Sequence, residues 1–330
     1  MSRIAVLGAG AWGTALTISL ARRGGHSLVL WSFDEALAKQ MSETGENLPF
    51  LPGYTVPADV KVTSSLEVAV SGAEIVLCVT PSEHMRGVLT QVAPLLTRDQ
   101  IVVSATKGLE QSSLLRMSQV IASVTENPCG VLSGPSFAAE VAAGIPTAIV
   151  AASTAPGVAQ TIQREFSSPT LRLYTNEDMA GVELGGALKN VIALAAGVVH
   201  GLDLGYNTAA ALITRGVAEI TRLAVACGGR RQTLAGLSGM GDLVLTCTGS
   251  LSRNRMVGIE LGKGRELAKI LEEMNGKVAE GVLSTAAALG LAARYGVEMP
   301  ITEQMDAILH RGKSPKEAIH ELMTRPGRDE

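Results

Sequence analysis

The chain has 330 residues, 46% of them hydrophobic and 18% charged, which excludes intrinsic disorder and allows sizeable cores. This length is more than twice the roughly 150 residues of an average domain and predicts two domains. Lys and Arg number 28 against 31 Asp and Glu, and the net charge of −3 argues against a general nucleic-acid-binding protein, which carries a strongly basic face.

From the N-terminus to about residue 175, short apolar runs alternate with amphipathic helical stretches. This alternation predicts βαβ units, and the continuous apolar runs predict a mostly parallel sheet covered on both faces. The candidate strands are residues 4–7, 28–31, 60–63, 75–79, 101–104, 131–133, 148–151 and 171–174. The candidate helices between them include residues 11–23, 35–42, 84–95, 114–124 and 157–166.

Beyond residue 176 the pattern changes to Ala, Leu, Gly and Glu at helical spacing. The fold class expected is therefore α/β, with a Rossmann-like, doubly wound parallel sheet in residues 1–176 and an all-α domain in residues 177–330. The candidate helices of this second domain are residues 179–199, 208–227, 253–261, 266–274, 285–294, 302–309 and 315–322.

The first predicted strand leads directly into a GxGxxG pattern that opens the first predicted helix. In this setting the first glycine permits a tight turn, the second lets the main chain approach a pyrophosphate, and the third allows close helix–strand packing. An isolated match is explained equally well by a tight turn, but the strand before it and the helix after it favour a dinucleotide site. The candidate cofactor contacts are Gly8, Gly10, Ala11, Trp12 and Gly13, although a simple packing role suits Trp12 equally well.

The end of the second predicted strand leaves the choice between NAD and NADP open. A carboxylate at this place contacts the ribose hydroxyls of NAD, and a basic side chain contacts the 2′-phosphate of NADP. Residues 31–34 contain no basic side chain, and Asp34 is equally suited to cap the helix that follows.

Lysines stand in apolar surroundings at two places. Lys107 directly follows the strand of residues 101–104, on the edge of the sheet where ligands bind, although an ordinary surface lysine is the alternative. Lys189 lies in the most apolar predicted helix, where the other polar side chains are Glu183 and Asn190. A lysine is rarely buried unless it is paired, so Lys189 is a candidate acid or base, the alternative being a side chain that extends to solvent.

Two polar groups follow in the second domain. Asp242 comes after a glycine-rich turn and is either a functional carboxylate or a helix cap. Ser252 is a predicted N-cap with Arg253 and Asn254 in the first turn of the next helix. A helix N-terminus with these side chains is suited to bind phosphate, and a solvated basic turn is the alternative.

Together, these motifs resemble the NAD(P)-dependent glycerol-3-phosphate dehydrogenase family, in particular its bacterial biosynthetic branch. The stretches that carry the resemblance are GAGAWGTAL (8–16), ATKGLE (105–110), LSGPSFAAEVAAGIPTA (132–148), GGALKNVIALAAGVVHGL (185–202), GMGDLVLTC (239–247), SRNR (252–255) and GVEMPITE (296–303). They cover essentially the whole chain, and the family fold implies an all-α second domain of the 6-phosphogluconate-dehydrogenase-like type.

The resemblance implies a role for each matching residue. Lys189 is the expected proton donor and acceptor, and Lys107 and Asp242 are its expected partners around the reacting carbon. The substrate-binding residues implied are Lys107, Gly134, Ser136, Lys189, Asn190, Asp242, Ser252, Arg253 and Asn254. The further cofactor contacts implied are Phe33, Lys107, Ala138, Arg253, Val278 and Glu280.

The implied activity is the reversible reduction of dihydroxyacetone phosphate to sn-glycerol 3-phosphate with NAD or NADP, which supplies phospholipid biosynthesis. Bacterial relatives often carry a basic residue near Phe33, and its absence leaves the NADP preference open. A dehydrogenase for a carboxylate substrate, of the β-hydroxyacid or 6-phosphogluconate type, is one alternative. A regulator that senses dinucleotides without turnover is the other, and it leaves Lys107, Lys189 and Asp242 unexplained. A homodimer is expected from the family alone.

Cellular location and metal content follow from what the sequence lacks. The N-terminus shows no signal peptide, and the longest apolar stretch, residues 191–199, is shorter than the roughly 20 residues of a membrane-spanning helix. The four cysteines have no CxxC spacing and the five histidines form no HExxH pair. We therefore expect a reduced, cytoplasmic, metal-free protein without a membrane span.

Overall fold

The computed structural model describes residues 2–274 and 279–327. Two compact units emerge within the chain, the first comprising Met1–Glu110 and Leu115–Glu183, and the second Gln111–Leu114 and Leu184–Glu330. The division after Glu183 falls inside a long helix.

Among the described residues, the first unit contains an eight-stranded sheet in the order β10-β9-β8-β7-β6-β1-β2-β5. Its neighbours pair in parallel except β8 and β9, which are antiparallel. Alternate residues of the strands enter apolar clusters on the two faces of the sheet. The strands are β1 (Ser2–Leu7), β2 (His26–Trp31), β3 (Glu46–Asn47), β4 (Leu51–Thr55), β5 (Lys61–Thr63), β6 (Ile75–Cys78), β7 (Ile101–Ser104), β8 (Cys129–Ser133), β9 (Thr147–Ala152) and β10 (Leu171–Asn176).

After β1, the chain first adds β2 and β5 on one side of it and then adds β6 and the later strands on the other side, so the strand order reverses between β1 and β6. Such a switch point opens a crevice outside the carboxyl ends of the strands, where doubly wound proteins bind ligands. The predicted Rossmann-like sheet is therefore confirmed. The antiparallel hairpin β3–β4, which forms a sheet of its own, was not predicted, because β3 is two residues long and β4 contains Pro52 and Gly53.

The helices of the first unit are α1 (Ala11–Arg23), α2 (Glu35–Thr44), α3 (Leu66–Val70), α4 (Ser82–Val92), α5 (Met117–Val124), α6 (Ala138–Ala143) and α7 (Val158–Phe166). The prediction of a helix over residues 114–124 starts too early. Leu114 has a positive φ of 63°, which is incompatible with a helix, and α5 begins at Met117. The Glu183 carboxylate accepts hydrogen bonds from the Ser118 N–H and hydroxyl, at 2.7 and 2.6 Å, and so caps this new start.

The described part of the second unit contains helices and no strand, as predicted for the all-α domain. The long helix α8 (Met179–Gly201) leads into it from the first unit. The others are α9 (Gly205–Ala226), α10 (Arg231–Leu234), α11 (Asp242–Thr248), α12 (Arg253–Gly262), α13 (Leu267–Glu273), α14 (Glu280–Tyr295), α15 (Pro300–His310) and α16 (Pro315–Met323), and residues Leu237–Gly241 form a π-helical turn before α11.

By length and composition, α8 is apolar enough to cross a membrane, the single such helix among the described residues. The argument from the short run of residues 191–199 was therefore incomplete, because isolated polar residues do not stop a 23-residue helix from passing this test. Its most apolar 18-residue window is 100% buried inside the protein. Such burial is typical of a helix that forms the centre of a core.

Glycines bring α8 and α12 into main-chain contact. A Cβ atom added at Gly197 would lie 2.1 Å from the Arg255 carbonyl oxygen, and one at Gly258 would lie 2.0 Å from the Leu194 carbonyl oxygen. Real Cβ atoms do not approach this closely, so the crossing requires glycine on both helices. The close crossing fixes the position of the α12 N-terminus relative to α8.

We expect Gly258→Ala to destabilise the protein by about 1–3 kcal/mol, because the added methyl group meets main chain that has no freedom to move. The matched control is Gly87→Ala inside α4, where no described atom outside the local helix backbone lies within 4 Å of the new methyl group. This control should gain about 0.4–1 kcal/mol. Urea unfolding followed by circular dichroism measures both, and equal midpoints for the two variants would contradict the role of the crossing.

Candidate active site

The glycine turn after β1 provides what a bound pyrophosphate requires. Gly8 has a φ of +125°, and a Cβ atom there would lie 2.8 Å from the Val79 carbonyl oxygen in the loop after β6. A Cβ atom at Gly13 would lie 1.9 Å from the Gly8 carbonyl oxygen. At Gly10, by contrast, no described atom beyond its neighbours along the chain lies within 4 Å of the added Cβ. Gly8 and Gly13 therefore close the turn, and Gly10 leaves its outer side accessible at the N-terminus of α1, as a dinucleotide requires.

Trp12 and Ala11 occupy the first turn of α1, where both are partly buried. The Trp12 indole N–H is shielded from solvent and has no hydrogen-bond partner within the described part of the chain. A buried indole N–H usually finds a partner, so this donor is suited to a ligand oxygen.

In the loop after β2, Asp34 has the helix-capping role that was one of its two predicted roles. Asp34 caps α2, since its Oδ1 atom accepts from the N–H groups of Ala36 and Leu37 at 2.8 and 3.2 Å. Phe33 is 88% exposed, and its ring lies edge-to-face against Trp31 with a centroid separation of 6.4 Å.

Lys107, Gly134 and Ser136 lie together at the carboxyl ends of the neighbouring strands β7 and β8. The Lys107 Nζ atom donates to the Gly134 carbonyl at 2.8 Å and to the Ser136 hydroxyl at 3.3 Å. Gly134 has a φ of +139°, and a Cβ atom there would lie 2.9 Å from the Ile149 Cα atom. These residues form a polar cluster at the ligand-binding edge of the sheet, and Ala138 begins α6 directly beyond it.

Residues that were not predicted hold the Lys107 loop in place. The Thr106 hydroxyl donates to the Thr80 carbonyl at 2.5 Å. Three residues after Lys107, Glu110 accepts two hydrogen bonds from the Arg86 guanidinium, both at 2.8 Å. Such a two-bond ion pair is geometrically specific. Nothing in the sequence pairs Arg86 on α4 with Glu110, because this contact depends on how α4 packs.

In the second unit, Lys189 forms a buried ion pair with Asp242. The Lys189 Nζ atom and the Asp242 Oδ1 atom are 2.5 Å apart, and the two side chains are 9% and 1% exposed. Lys189 therefore does not extend to solvent. Both charged groups lie out of water, where their ion pair offsets part of the cost of burying them.

Gly185 explains how Asp242 reaches Lys189. A Cβ atom on Gly185 would lie 2.4 Å from the Ser238 carbonyl oxygen, so the π-helical turn Leu237–Gly241 packs against the main chain of α8 one turn before the lysine. Asp242 directly follows this π-helical turn and begins α11. The close approach at Gly185 thus places the start of α11, and with it Asp242, beside Lys189.

The predicted cap of α12 is confirmed, because the Ser252 hydroxyl accepts from the Arg255 N–H at 3.2 Å. Arg253 is exposed in the first turn, whereas Asn254 is buried. The Asn254 Oδ1 atom accepts from the Gly281 N–H at 2.9 Å, which turns the Nδ2 donor end of this amide away from Gly281. A phosphate accepts hydrogen bonds, so this orientation presents the end of the amide that suits it.

Two other predicted residues, Asn190 on α8 and Glu280 on α14, lie on helices that meet near the start of α12. A Cβ atom on Gly281 would lie 2.6 Å from the Asn190 carbonyl oxygen, so α8 and the first turn of α14 are also in main-chain contact. Glu280 is the first residue of α14. Val278, predicted to contact the cofactor, lies outside the described residues. A search of residues 2–274 and 279–327 finds no group of three or more His, Cys, Asp or Glu side chains suited to hold a metal ion.

A glycine turn open to pyrophosphate at the switch point of a doubly wound sheet, in a chain whose helical unit contains a buried lysine, defines a dinucleotide-dependent oxidoreductase. The family models narrow this class. The N-terminal model of NAD-dependent glycerol-3-phosphate dehydrogenase matches residues 3–159, and the C-terminal model matches residues 178–320. The chain belongs to the NAD-dependent glycerol-3-phosphate dehydrogenase family, which confirms the resemblance seen in the motifs.

Individual relatives agree over the full length. A glycerol-3-phosphate dehydrogenase [NAD(P)+] from Koribacter versatilis is 60% identical, over 100% of this chain and 99% of its own. One from Acidobacterium capsulatum is 60% identical over 100% of both chains. The crystal structure of glycerol-3-phosphate dehydrogenase from Coxiella burnetii superposes with a TM-score of 0.94 at 40% identity, covering 98% of this chain and 99% of that one.

Proposed function

We propose that this protein interconverts dihydroxyacetone phosphate and sn-glycerol 3-phosphate with NAD or NADP as cofactor. The observation that carries the proposal is the buried Lys189–Asp242 pair, in a chain that matches glycerol-3-phosphate dehydrogenases from end to end. Residues 1–176 bind the dinucleotide and residues 177–330 provide the helical substrate-binding domain.

Lys189 is the general acid and base. A reduced dinucleotide held by the glycine turn would supply hydride to the carbonyl carbon, and the carbonyl oxygen would then need a proton. The Lys189 ammonium donates that proton, and the amine takes it back in the reverse direction. Asp242 orients the ammonium by its hydrogen bond at 2.5 Å. General acid catalysis of this kind contributes about 10²–10⁴-fold.

The start of α12 binds the substrate phosphate. Arg253 supplies a fork of donors and a positive charge, Asn254 supplies the Nδ2 donor, and the helix N-terminus capped by Ser252 adds main-chain dipoles. Binding energy from a group remote from the reacting carbon orients that carbon and raises the rate. Asn190 lies next to Lys189 in sequence and is assigned to substrate binding.

In the first unit, the glycine turn with Ala11 and Trp12 binds the pyrophosphate, and Phe33 and Ala138 contact other parts of the dinucleotide. Lys107, Gly134 and Ser136 are assigned to cofactor and substrate binding. From the second unit, Arg253, Val278 and Glu280 are assigned further cofactor contacts. The biological role is the supply of sn-glycerol 3-phosphate for phospholipid biosynthesis in the cytoplasm, by a homodimer.

The activity is tested by mixing the purified protein with dihydroxyacetone phosphate and either NADH or NADPH. We expect loss of absorbance at the nicotinamide band with at least one cofactor, and formation of sn-glycerol 3-phosphate. Oxidation of neither cofactor would defeat the proposal. The ratio of kcat/KM for the two cofactors then gives the preference that the β2–α2 loop leaves open.

Lys189→Met should lower kcat by about two decades or more, because the carbonyl oxygen loses its proton donor. This variant removes the positive charge beside the buried Asp242 carboxylate, so the matched control is Lys189→Met with Asp242→Asn, which removes both charges of the pair. Both proteins should bind NADH as the wild type does in a fluorescence titration. Turnover near the wild-type rate in either variant excludes Lys189 as the acid.

Arg253→Ala should raise KM for dihydroxyacetone phosphate by about tenfold or more, the value of one charge-assisted hydrogen bond to phosphate. Measured at saturating cofactor, the same variant should leave kcat/KM for unphosphorylated dihydroxyacetone near its low wild-type value, because this substrate has no phosphate for Arg253 to contact. The KM of Arg253→Lys for dihydroxyacetone phosphate should lie between those of the wild type and Arg253→Ala. An equal loss for both substrates would assign Arg253 a role other than phosphate binding.

A further inference from the structure

Asn47 is a fully buried amide that contacts the glycine turn from another part of the chain. The Asn47 Nδ2 atom donates to the Ala9 carbonyl oxygen and to the Thr14 hydroxyl, both at 2.8 Å. Its Oδ1 atom accepts from the Phe50 N–H at 3.3 Å. Ala9 lies between the first two glycines of GxGxxG, and Thr14 lies in the first turns of α1.

The hairpin that carries Asn47 is itself well fixed. The Gly45 carbonyl accepts from the Val56 N–H at 2.7 Å, which closes the base of the hairpin β3–β4. The Glu46 carboxylate accepts from the Gly53 N–H at 2.5 Å across it. Leu51 is buried in the apolar cluster beneath α1. The amide of Asn47 is therefore held by an element independent of the turn that it contacts.

The contact with Ala9 determines where the next N–H group points. The Ala9 carbonyl and the Gly10 N–H belong to one peptide plane, and in a trans peptide the two point in opposite directions. Because the carbonyl is directed inward onto Asn47, the Gly10 N–H is directed outward. This is the side on which a Cβ atom added at Gly10 meets no described atom within 4 Å beyond its neighbours along the chain.

We propose that Asn47 is a positioning residue for the cofactor: it holds the Ala9–Gly10 peptide so that the Gly10 N–H donates to the dinucleotide pyrophosphate. The inference deepens the proposed function and rests on its dinucleotide site. Without the Asn47 donor, the Ala9 carbonyl loses its buried partner, and the peptide plane turns to find another. The Gly10 N–H then no longer faces the pyrophosphate.

The test compares Asn47→Ser with a matched variant directly before β7, at the amino ends of the strands and so away from the glycine turn. Gln100 is also a buried amide, and its Nε2 atom donates to the carbonyls of Val70 and Ala73 at 3.2 and 2.6 Å. Gln100→Ser therefore removes an equivalent pair of buried hydrogen bonds away from the glycine turn. Thermal unfolding midpoints of the two variants show whether the structural cost is similar.

Dissociation constants are measured by titration with ADP, which contains a pyrophosphate, and with adenosine, which has no phosphate. Asn47→Ser should raise Kd for ADP by about tenfold or more, as expected for one lost hydrogen bond to a charged group, and leave Kd for adenosine unchanged. Gln100→Ser should leave both unchanged. In turnover, Asn47→Ser should raise KM for the nicotinamide cofactor with little change in kcat at saturation.

Two results overturn the inference. One is wild-type ADP affinity in Asn47→Ser, and the other is equal weakening of ADP binding in both variants, which would mean a structural role only. If Asn47→Ser does not fold, the wild-type protein labelled with ¹⁵N-glycine decides, because ADP should shift the Gly10 amide resonance downfield and an unmoved resonance rejects the contact. ADP binding requires no turnover, so this test and the dihydroxyacetone phosphate assay fail independently.

Discussion

The structure depends on main chain approaching main chain more closely than any side chain allows. In the first unit, the Gly8 carbonyl occupies the space of a Gly13 side chain, which closes the turn at the start of α1. In the second unit, the Ser238 carbonyl packs on Gly185, and this approach brings Asp242 to Lys189. The glycine enrichment of the composition, 36 of 330 residues, is thus partly a requirement of the two candidate sites.

A second principle is that buried partners decide which end of a polar group faces the ligand. The side-chain Oδ1 atom of Asn254 accepts from the Gly281 N–H, so the side-chain amide presents its Nδ2 donor end. Asn47 acts one step further back, on the Ala9 carbonyl, and so directs the Gly10 N–H. Groups oriented before the ligand arrives lose little freedom when it binds, which favours affinity and accurate placement.

The sequence predicts those features that depend on local order along the chain. The GxGxxG turn, the cap at Ser252 and the apolar helix around Lys189 all follow from spacing and composition. The partner of Lys189 does not follow from spacing, because Asp242 lies 53 residues away and the packing of the glycine-rich turn brings them together, so only the family resemblance indicated it. The Asn47 contact with Ala9, 38 residues away, was missed too. In addition, β3 is two residues long and gives no periodic signal.

The burial of α8 has a consequence for the unfolded protein. A helix of 23 residues with enough apolar surface to suit a lipid bilayer is kept from water by the folded chain alone. Denaturation exposes this segment in one piece, and exposed apolar surface of this kind favours aggregation over refolding. We therefore expect thermal unfolding to be irreversible, so that the lifetime of the protein at raised temperature follows the rate of its unfolding.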